Sequence, residues 1–242
     1  MTDNDIQLKL LANVPIDIDG IGNFQLPTIR EVIYLGEEQY NYFMSALLFS
    51  KDSLSNTDDE IISKMSDYDL FSSLIAHEDS FQHSALSAFS IFMDQKPDLF
   101  ENGTVYFGEL REDAFLDEDK WKLIQKLIRL GNFIPEKKKE EEYKAGNNKA
   151  KELIEKIMKK KATQPKKEEA INLHSMISAV GWRMHDVDRI LDKTIYQLHD
   201  AYYRLMKIDD YKFINTGIYS GSVDGSKIKL PDYFWANVIK NK

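Results

Sequence analysis

The 242-residue sequence contains no cysteine, which excludes disulfide bonds, thiolate metal sites and cysteine nucleophiles, and fits a reducing cytosol. It also lacks an excess of positive charge. The net charge of −8 argues against general nucleic-acid binding, which needs a basic surface. No apolar run reaches the roughly 18–20 residues that cross a bilayer, since the longest candidate spans only Tyr42 to Phe49. We therefore expect no membrane-spanning helix and, because the first residues are polar and acidic, no signal peptide.

Signatures of catalysis and of metal binding are missing as well. The sequence has no phosphate-binding loop, no dinucleotide-binding glycine motif and no serine-nucleophile motif. On a helix, His77 and His83 would point about 120° apart, and His185 and His199 would lie about 21 Å apart, so neither pair suits one metal ion. The clustered carboxylates stand at expected helix starts, where the helix dipole favours them. We expect no catalytic residue, no cofactor and no metal site; an enzyme with an unrecognised site is the alternative.

Apolar residues make up 43% of the sequence and aromatic residues 12%, which is enough for a folded core. In the first 26 residues, apolar and polar residues alternate around Asp19-Gly20, a pattern typical of a β-hairpin. We predict short strands near 7–11, 15–18 and 23–26. A strand at 104–107 is also predicted, and it could pair with this hairpin.

Helical patterns follow the hairpin. Thr28 and Glu31 form a capping box at the start of a helix whose apolar stripe runs to Leu48. Gly36 lies in the middle of this stripe, where it either permits close packing or divides the helix in two. Further helices are predicted over 59–65, 67–77, 79–94 and 118–130. For the last of these, we predict that Asp117 is the N-cap and that Gly131 occupies the C′ position.

A change in composition divides the chain. Between 136 and 169 there are twelve lysines and eight glutamates, so this segment has a charge of +4 and the rest has −12. Such a charge run is typical of a solvated helix; an RNA-binding or membrane-surface helix is the weaker alternative. We predict an N-terminal α+β module over 1–134, a charged helical tether over 135–169 and a helical module over 170–242.

Aromatic residues are concentrated in the C-terminal module. A short helix is predicted to end near Gly181, and a second to begin at Asp186 or Asp188 and run to about Met206. The aromatic residues form either the core of this module or a partner surface, since Tyr and Trp anchor interfaces well. The candidate partner-binding residues are Trp182, Tyr196, Tyr203 and Trp235.

Two groups of residues resemble a known family. The N-terminal group comprises residues 24–32, 35–37 and 40–43, and the C-terminal group comprises residues 176–180, 192–200 and 203–205. Both are similar to proteins encoded among the tail genes of phages of Gram-positive bacteria, which are often assigned as tail assembly chaperones. The resemblance implies a protein that coats the tape-measure protein before tail-tube polymerisation and is absent from the finished tail. It implies no catalytic residues.

We therefore expect a mainly α-helical α+β fold with a small N-terminal β-hairpin or sheet. The expected function is non-catalytic tail assembly in the host cytoplasm, as a chaperone of the tape-measure protein. Its expected partners are that protein and, as a second candidate, the tube protein. No nucleic acid and no membrane are expected, and a homo-oligomer is left open. The alternative is a structural component of the tail or baseplate in the virion.

Overall fold

The computed structural model describes residues 1–51, 64–100, 103–135 and 171–237. The predicted helix at 59–65 and the predicted tether therefore lie mostly or wholly outside the described residues. The fold is mainly helical with two small antiparallel sheets, which confirms the predicted α+β class. In chain order the elements are α1 (Asp3–Ala12), β1 (Ile16–Ile18), β2 (Gly22–Phe24), α2 (Ile29–Leu35), α3 (Glu37–Leu47), α4 (Asp67–His77), α5 (Asp79–Phe92), β3 (Pro97–Leu99), β4 (Val105–Phe107), α6 (Glu118–Gly131), α7 (Leu173–Met184), α8 (Val187–Leu191) and α9 (Ile195–Tyr219).

The first element is a helix, so the predicted strand at 7–11 is wrong. Thr2 and Asp5 form a capping box that fixes the helix start. Ile6 and Leu10, four residues apart, are buried on the same side of α1. The next two predicted strands are confirmed, because β1 and β2 pair antiparallel with Ile16 opposite Phe24.

Gly36 divides the next helical pattern in two. The predicted capping box of Thr28 and Glu31 is present at the start of α2. Gly36 ends α2 with a φ of +95°, a conformation that residues with a side chain rarely adopt. No atom lies within 4 Å of the position where a Cβ would stand, so close packing does not explain this glycine. Of the two interpretations of Gly36, the break is the correct one.

The second sheet differs from the prediction. β4 pairs with β3, a few residues before it, and not with the N-terminal hairpin. A local hairpin closes a shorter loop and so costs less conformational entropy. The N-terminal hairpin is joined instead to the end of α5, where Gln25 N donates to Phe92 O at 2.8 Å and Asp94 N donates to Asn23 O at 3.1 Å.

Helix α6 begins as predicted, with the Asp117 side chain accepting from Lys120 N. The predicted role of Gly131 is wrong, because it is the last helical residue and the positive φ falls on Phe133 instead. A Cβ on Gly131 would stand 2.6 Å from a Leu26 methyl carbon. Close packing therefore explains this glycine.

The C-terminal helices are arranged differently from the prediction. Helix α7 continues past Gly181 to Met184, and Asp186 caps the short helix α8. The predicted second helix is interrupted before Thr194, which caps α9, and α9 continues to Tyr219. Thr194 and Gln197 form a capping box at this helix start, and Thr194 is also fully buried and forms a bridge with Thr28.

One hydrophobic cluster unites the described parts of the chain. Its centre includes Trp121, which is 1% exposed and has its ring centroid 5.1 Å from that of Phe71. The same cluster contains Val180, Ile190 and Leu198 from the C-terminal helices. The described helices include none that is long and apolar enough to cross a membrane.

Candidate partner-binding site

Helix α9 is much longer than the part of it that packs on the core. It has 25 residues, which corresponds to a length of about 37 Å. Its buried residues are Ile195, Tyr196 and Leu198, all in the first turn or directly after it. From 199 to 237, no residue is buried. The part of α9 after Leu198, which we call its distal part, therefore contains no buried residue.

The face that α9 buries in its first turn continues uncovered in its distal part. Ile195 and Phe213 are eighteen positions apart, which is about five turns, so their side chains leave the helix in the same direction. Ile195 is 8% exposed, whereas Phe213 is 77% exposed. We give the name α9 ridge to four of the exposed residues on or beside this continued face. They are Tyr203, Met206, Asp210 and Phe213; exposed Asp209, on the same side, is excluded because it is paired with α7.

The opposite flank of α9 is covered by the chain after it. Arg204, Tyr211 and Ile218 recur every seven positions, which is about two turns, and so share one side. Arg204 Nη1 donates to the carbonyl oxygens of Trp235 and Asn237 at 2.9 and 2.8 Å. Tyr211 packs edge-on against Phe234, with 5.9 Å between ring centroids. The C-terminal tail thus returns along this flank and leaves the ridge uncovered.

Helix α7 contacts α9 through Arg183 and carries an exposed tryptophan, Trp182, next to it in the sequence. Arg183 Nη2 forms a salt bridge of 3.0 Å with Asp209 Oδ1 of α9. Trp182, the residue before it, is 74% exposed and has no ring partner among the described residues. Asp210, next to Asp209, has no ion-pair partner in the described part of the chain. The salt bridge therefore joins α7 to α9, while Trp182 and Asp210 themselves are left without such a contact.

Two of the four predicted residues, Tyr196 and Tyr203, are brought together. Both pack against Phe133, with ring centroids 5.2 and 5.8 Å away. Tyr196 is buried, and this burial raises the pKa of its hydroxyl. Tyr203 is 38% exposed and marks the start of the ridge.

The same aromatic group contains His199. Its ring stacks on Phe133 at 4.9 Å and lies 6.0 Å from the ring of Tyr203. Its Nδ1 atom is buried without a hydrogen-bond partner. Desolvation lowers the pKa of His199 to about 4, so the imidazole is neutral at physiological pH.

The other two predicted residues lie apart from this group. Trp182 stands alone on α7, as described above. Trp235 is 43% exposed and packs on Phe234 at 5.6 Å in the tail. Its link to α9 is through its main-chain oxygen, which Arg204 binds, and the indole itself is left at the surface.

Met206 and Asp210 were not predicted as surface residues of the site, and the helix was predicted to end at about Met206. The available signal was the eighteen-residue spacing from Ile195 to Phe213, which continues one face through five turns. Within the described residues, no group of three or more histidine, aspartate or glutamate side chains is arranged to hold a metal ion.

Comparison with known proteins gives one match. Residues 163–240, about a third of the chain, match the family model described as the YomV second domain. No curated protein and no solved structure matches the chain. The matched segment contains α7, α8, α9 and the returning tail, and therefore the whole α9 ridge. The family is of phage type, so the match is consistent with a phage protein.

Proposed function

We propose that this chain is a non-catalytic phage protein that binds another phage protein through the α9 ridge and acts as a tail assembly chaperone. The observation that carries the proposal is the continuation of a buried helix face beyond the core, where Phe213 is 77% exposed. Exposed apolar faces of this kind mark interaction sites. The resemblance to phage tail-gene proteins supports the tape-measure protein as the partner.

In the proposed mechanism, the ridge binds the apolar face of an amphipathic helix in the partner. Such a contact uses side chains spaced three, four or seven positions apart on both helices. Tyr203, Met206 and Phe213 have this spacing. By covering the apolar faces of the long tape-measure helices, the protein would prevent their self-association in the host cytoplasm until tube protein replaces it.

Co-expression with the tape-measure protein of the same phage tests the proposal. We expect the tagged chain to retain the tape-measure protein on an affinity column and to raise its soluble fraction. The double substitution Met206→Ser and Phe213→Ser should reduce the retained partner about tenfold, as expected when a central aromatic anchor is lost.

Tyr34→Ser provides the matched control. Tyr34 is 83% exposed, carries an aromatic ring and lies on α2, outside the matched segment. This control should retain the partner as the unchanged chain does. Absence of co-purification with the unchanged chain, or an equal loss in the Tyr34 variant, would contradict the proposal.

Mass spectrometry of purified phage particles separates the chaperone from the structural alternative. A chaperone that tube protein displaces is expected at trace level or not at all in mature particles. Abundant peptides of this chain in such particles would assign it to the tail or baseplate instead.

A further inference from the structure

A groove of about 430 Å³ lies in the N-terminal part of the molecule, outside the matched residues. It runs between α2 and the end of α5. Leu26, Val32, Tyr40 and Phe92 line it and are each at most 4% exposed, so their positions are fixed by the core. Its volume is in the range of sites that bind small molecules or single side chains of a partner.

The charged residues that line this groove are both acidic. Glu31 Oε2 accepts from the backbone N–H and the hydroxyl of Thr28, both at 2.7 Å. Asp94 accepts from the backbone N–H and the amide of Asn23 at 2.7 and 2.8 Å. These hydrogen bonds hold both carboxylates in place. Neither carboxylate has a cationic partner among the described residues.

The end of α5 adds to the negative potential. Ser90, Ile91 and Phe92 line the groove and form the last turn of this 14-residue helix. The carbonyl groups of a last turn lack intrahelical partners, and that of Phe92 accepts from Gln25 N instead. A helix C-terminus also carries a partial negative charge that favours cations. An apolar floor is therefore combined with two fixed carboxylates and a helix C-terminus, and no lining residue is basic.

We propose that this groove is the docking site for a segment of a partner protein that presents a lysine or arginine beside an aliphatic side chain. Lysine and arginine combine an apolar stem with a cationic head. The stem and the aliphatic neighbour match the floor, and the cation matches Glu31 and Asp94. The site is separate from the α9 ridge, and the inference does not depend on the proposed function.

Methyl-group NMR of the full chain tests the inference with two synthetic peptides. One peptide alternates leucine and lysine, and the other alternates leucine and glutamate. We expect the lysine peptide to shift the methyl signals of Leu26, Leu35 and Ile91, which line the groove. The glutamate peptide should leave these signals unchanged.

Two double variants separate a specific effect from a general charge effect. Glu31→Gln with Asp94→Asn removes both charges, keeps the one oxygen of residue 31 that accepts from Thr28, and keeps one of the two oxygens of residue 94 that accept from Asn23. It should raise the Kd of the lysine peptide roughly three- to tenfold. Glu78→Gln with Glu109→Gln changes the net charge equally at exposed positions outside the groove and should leave the Kd unchanged.

Several results would overturn the inference. They are the absence of groove methyl shifts with the lysine peptide, equal shifts with the glutamate peptide, and equal weakening in the Glu78 and Glu109 variant.

Groove signals that move with protein concentration alone would assign the groove to a second copy. Groove shifts caused by a peptide of residues 150–161 would assign it to the chain itself. Groove shifts that persist in Phe213→Ser would show that binding is independent of the ridge.

Discussion

His199 and Phe133 join the start of α9 to the end of α6. Their rings stack at 4.9 Å, and Nδ1 of His199 has neither water access nor a hydrogen-bond partner among the described residues. Phe133 lies two residues after the end of α6 and has a φ of +54°. The contact is favourable for the neutral imidazole and unfavourable for the imidazolium, which explains the lowered pKa of His199.

The stability of the protein should therefore fall when the pH is lowered from 7 to 5. The pKa of His199 is about 4 in the folded protein and about 6.5 in the unfolded chain. Between these values the unfolded chain binds more protons, so the free energy of unfolding decreases as the pH falls. His199 contributes up to about 2 kcal/mol of this loss at pH 5. Urea unfolding at both pH values measures it.

His199→Phe is the matched variant, because a phenyl ring can stack on Phe133 but does not titrate. Its loss of stability between pH 7 and pH 5 should be smaller than that of the unchanged protein by the amount assigned to His199. Equal losses in both proteins would show that His199 is not the residue responsible.

At the scale of elements, the two halves of α9 continue the same apolar face, which is buried at Ile195 and exposed at Phe213. Ile195→Ala should lower the free energy of unfolding by about 2–4 kcal/mol, because it removes a buried side chain. Phe213→Ala, on the same face, should change it by less than about 0.5 kcal/mol. Urea unfolding followed by far-UV circular dichroism compares the two. A large loss in the Phe213 variant would mean that this face is covered by the protein itself.

Elements fixed by neighbouring residues were predictable from the sequence. The capping box of Thr28 and Glu31, the cap at Asp117 and the Asp19-Gly20 hairpin all depend on residues at most eight positions apart, and all three are confirmed. Their energies are local, so no knowledge of the tertiary fold is needed.

Elements fixed by distant contacts were not predictable. In the sequence, Gly131 stands at the end of an apolar helical pattern, where a C′ glycine is expected. In the structure, its small size allows close contact with Leu26. The start of α9 has a local signal, the capping box of Thr194 and Gln197, but its bridge to Thr28 joins residues far apart in the sequence and could not be predicted. Of the candidate site, the sequence indicated the aromatic residues but not which of them the core would bury. Tyr196 and Tyr203 both pack against Phe133, yet Tyr196 is buried and Tyr203 is 38% exposed.

At the scale of the whole molecule, contacts join the predicted N-terminal and C-terminal modules. Arg30 Nε is 3.0 Å from Asp192 Oδ1, Gln197 Nε2 donates to Leu11 O at 2.7 Å, and Lys193 O accepts from Ile29 N at 2.7 Å. The hydrophobic cluster is also shared. The predicted module boundaries stay a prediction, since the segment 136–170 lies outside the described residues.

We expect both regions to unfold in one transition, because removal of either would expose the shared cluster to water. In a Trp182→Phe and Trp235→Phe variant, fluorescence reports only the buried Trp121 of the N-terminal region. Circular dichroism reports all helices. The two signals should have the same urea midpoint. Two separate midpoints would instead support modules that fold independently.

The C-terminal tail limits the sides from which a binding partner can approach the distal half of α9. With Trp235, Asn237 and Phe234 occupying the Arg204 and Tyr211 flank, only the opposite side is open to a visiting helix. If a helix docks on the ridge as proposed, it therefore has one direction of approach, because the tail screens the remaining side.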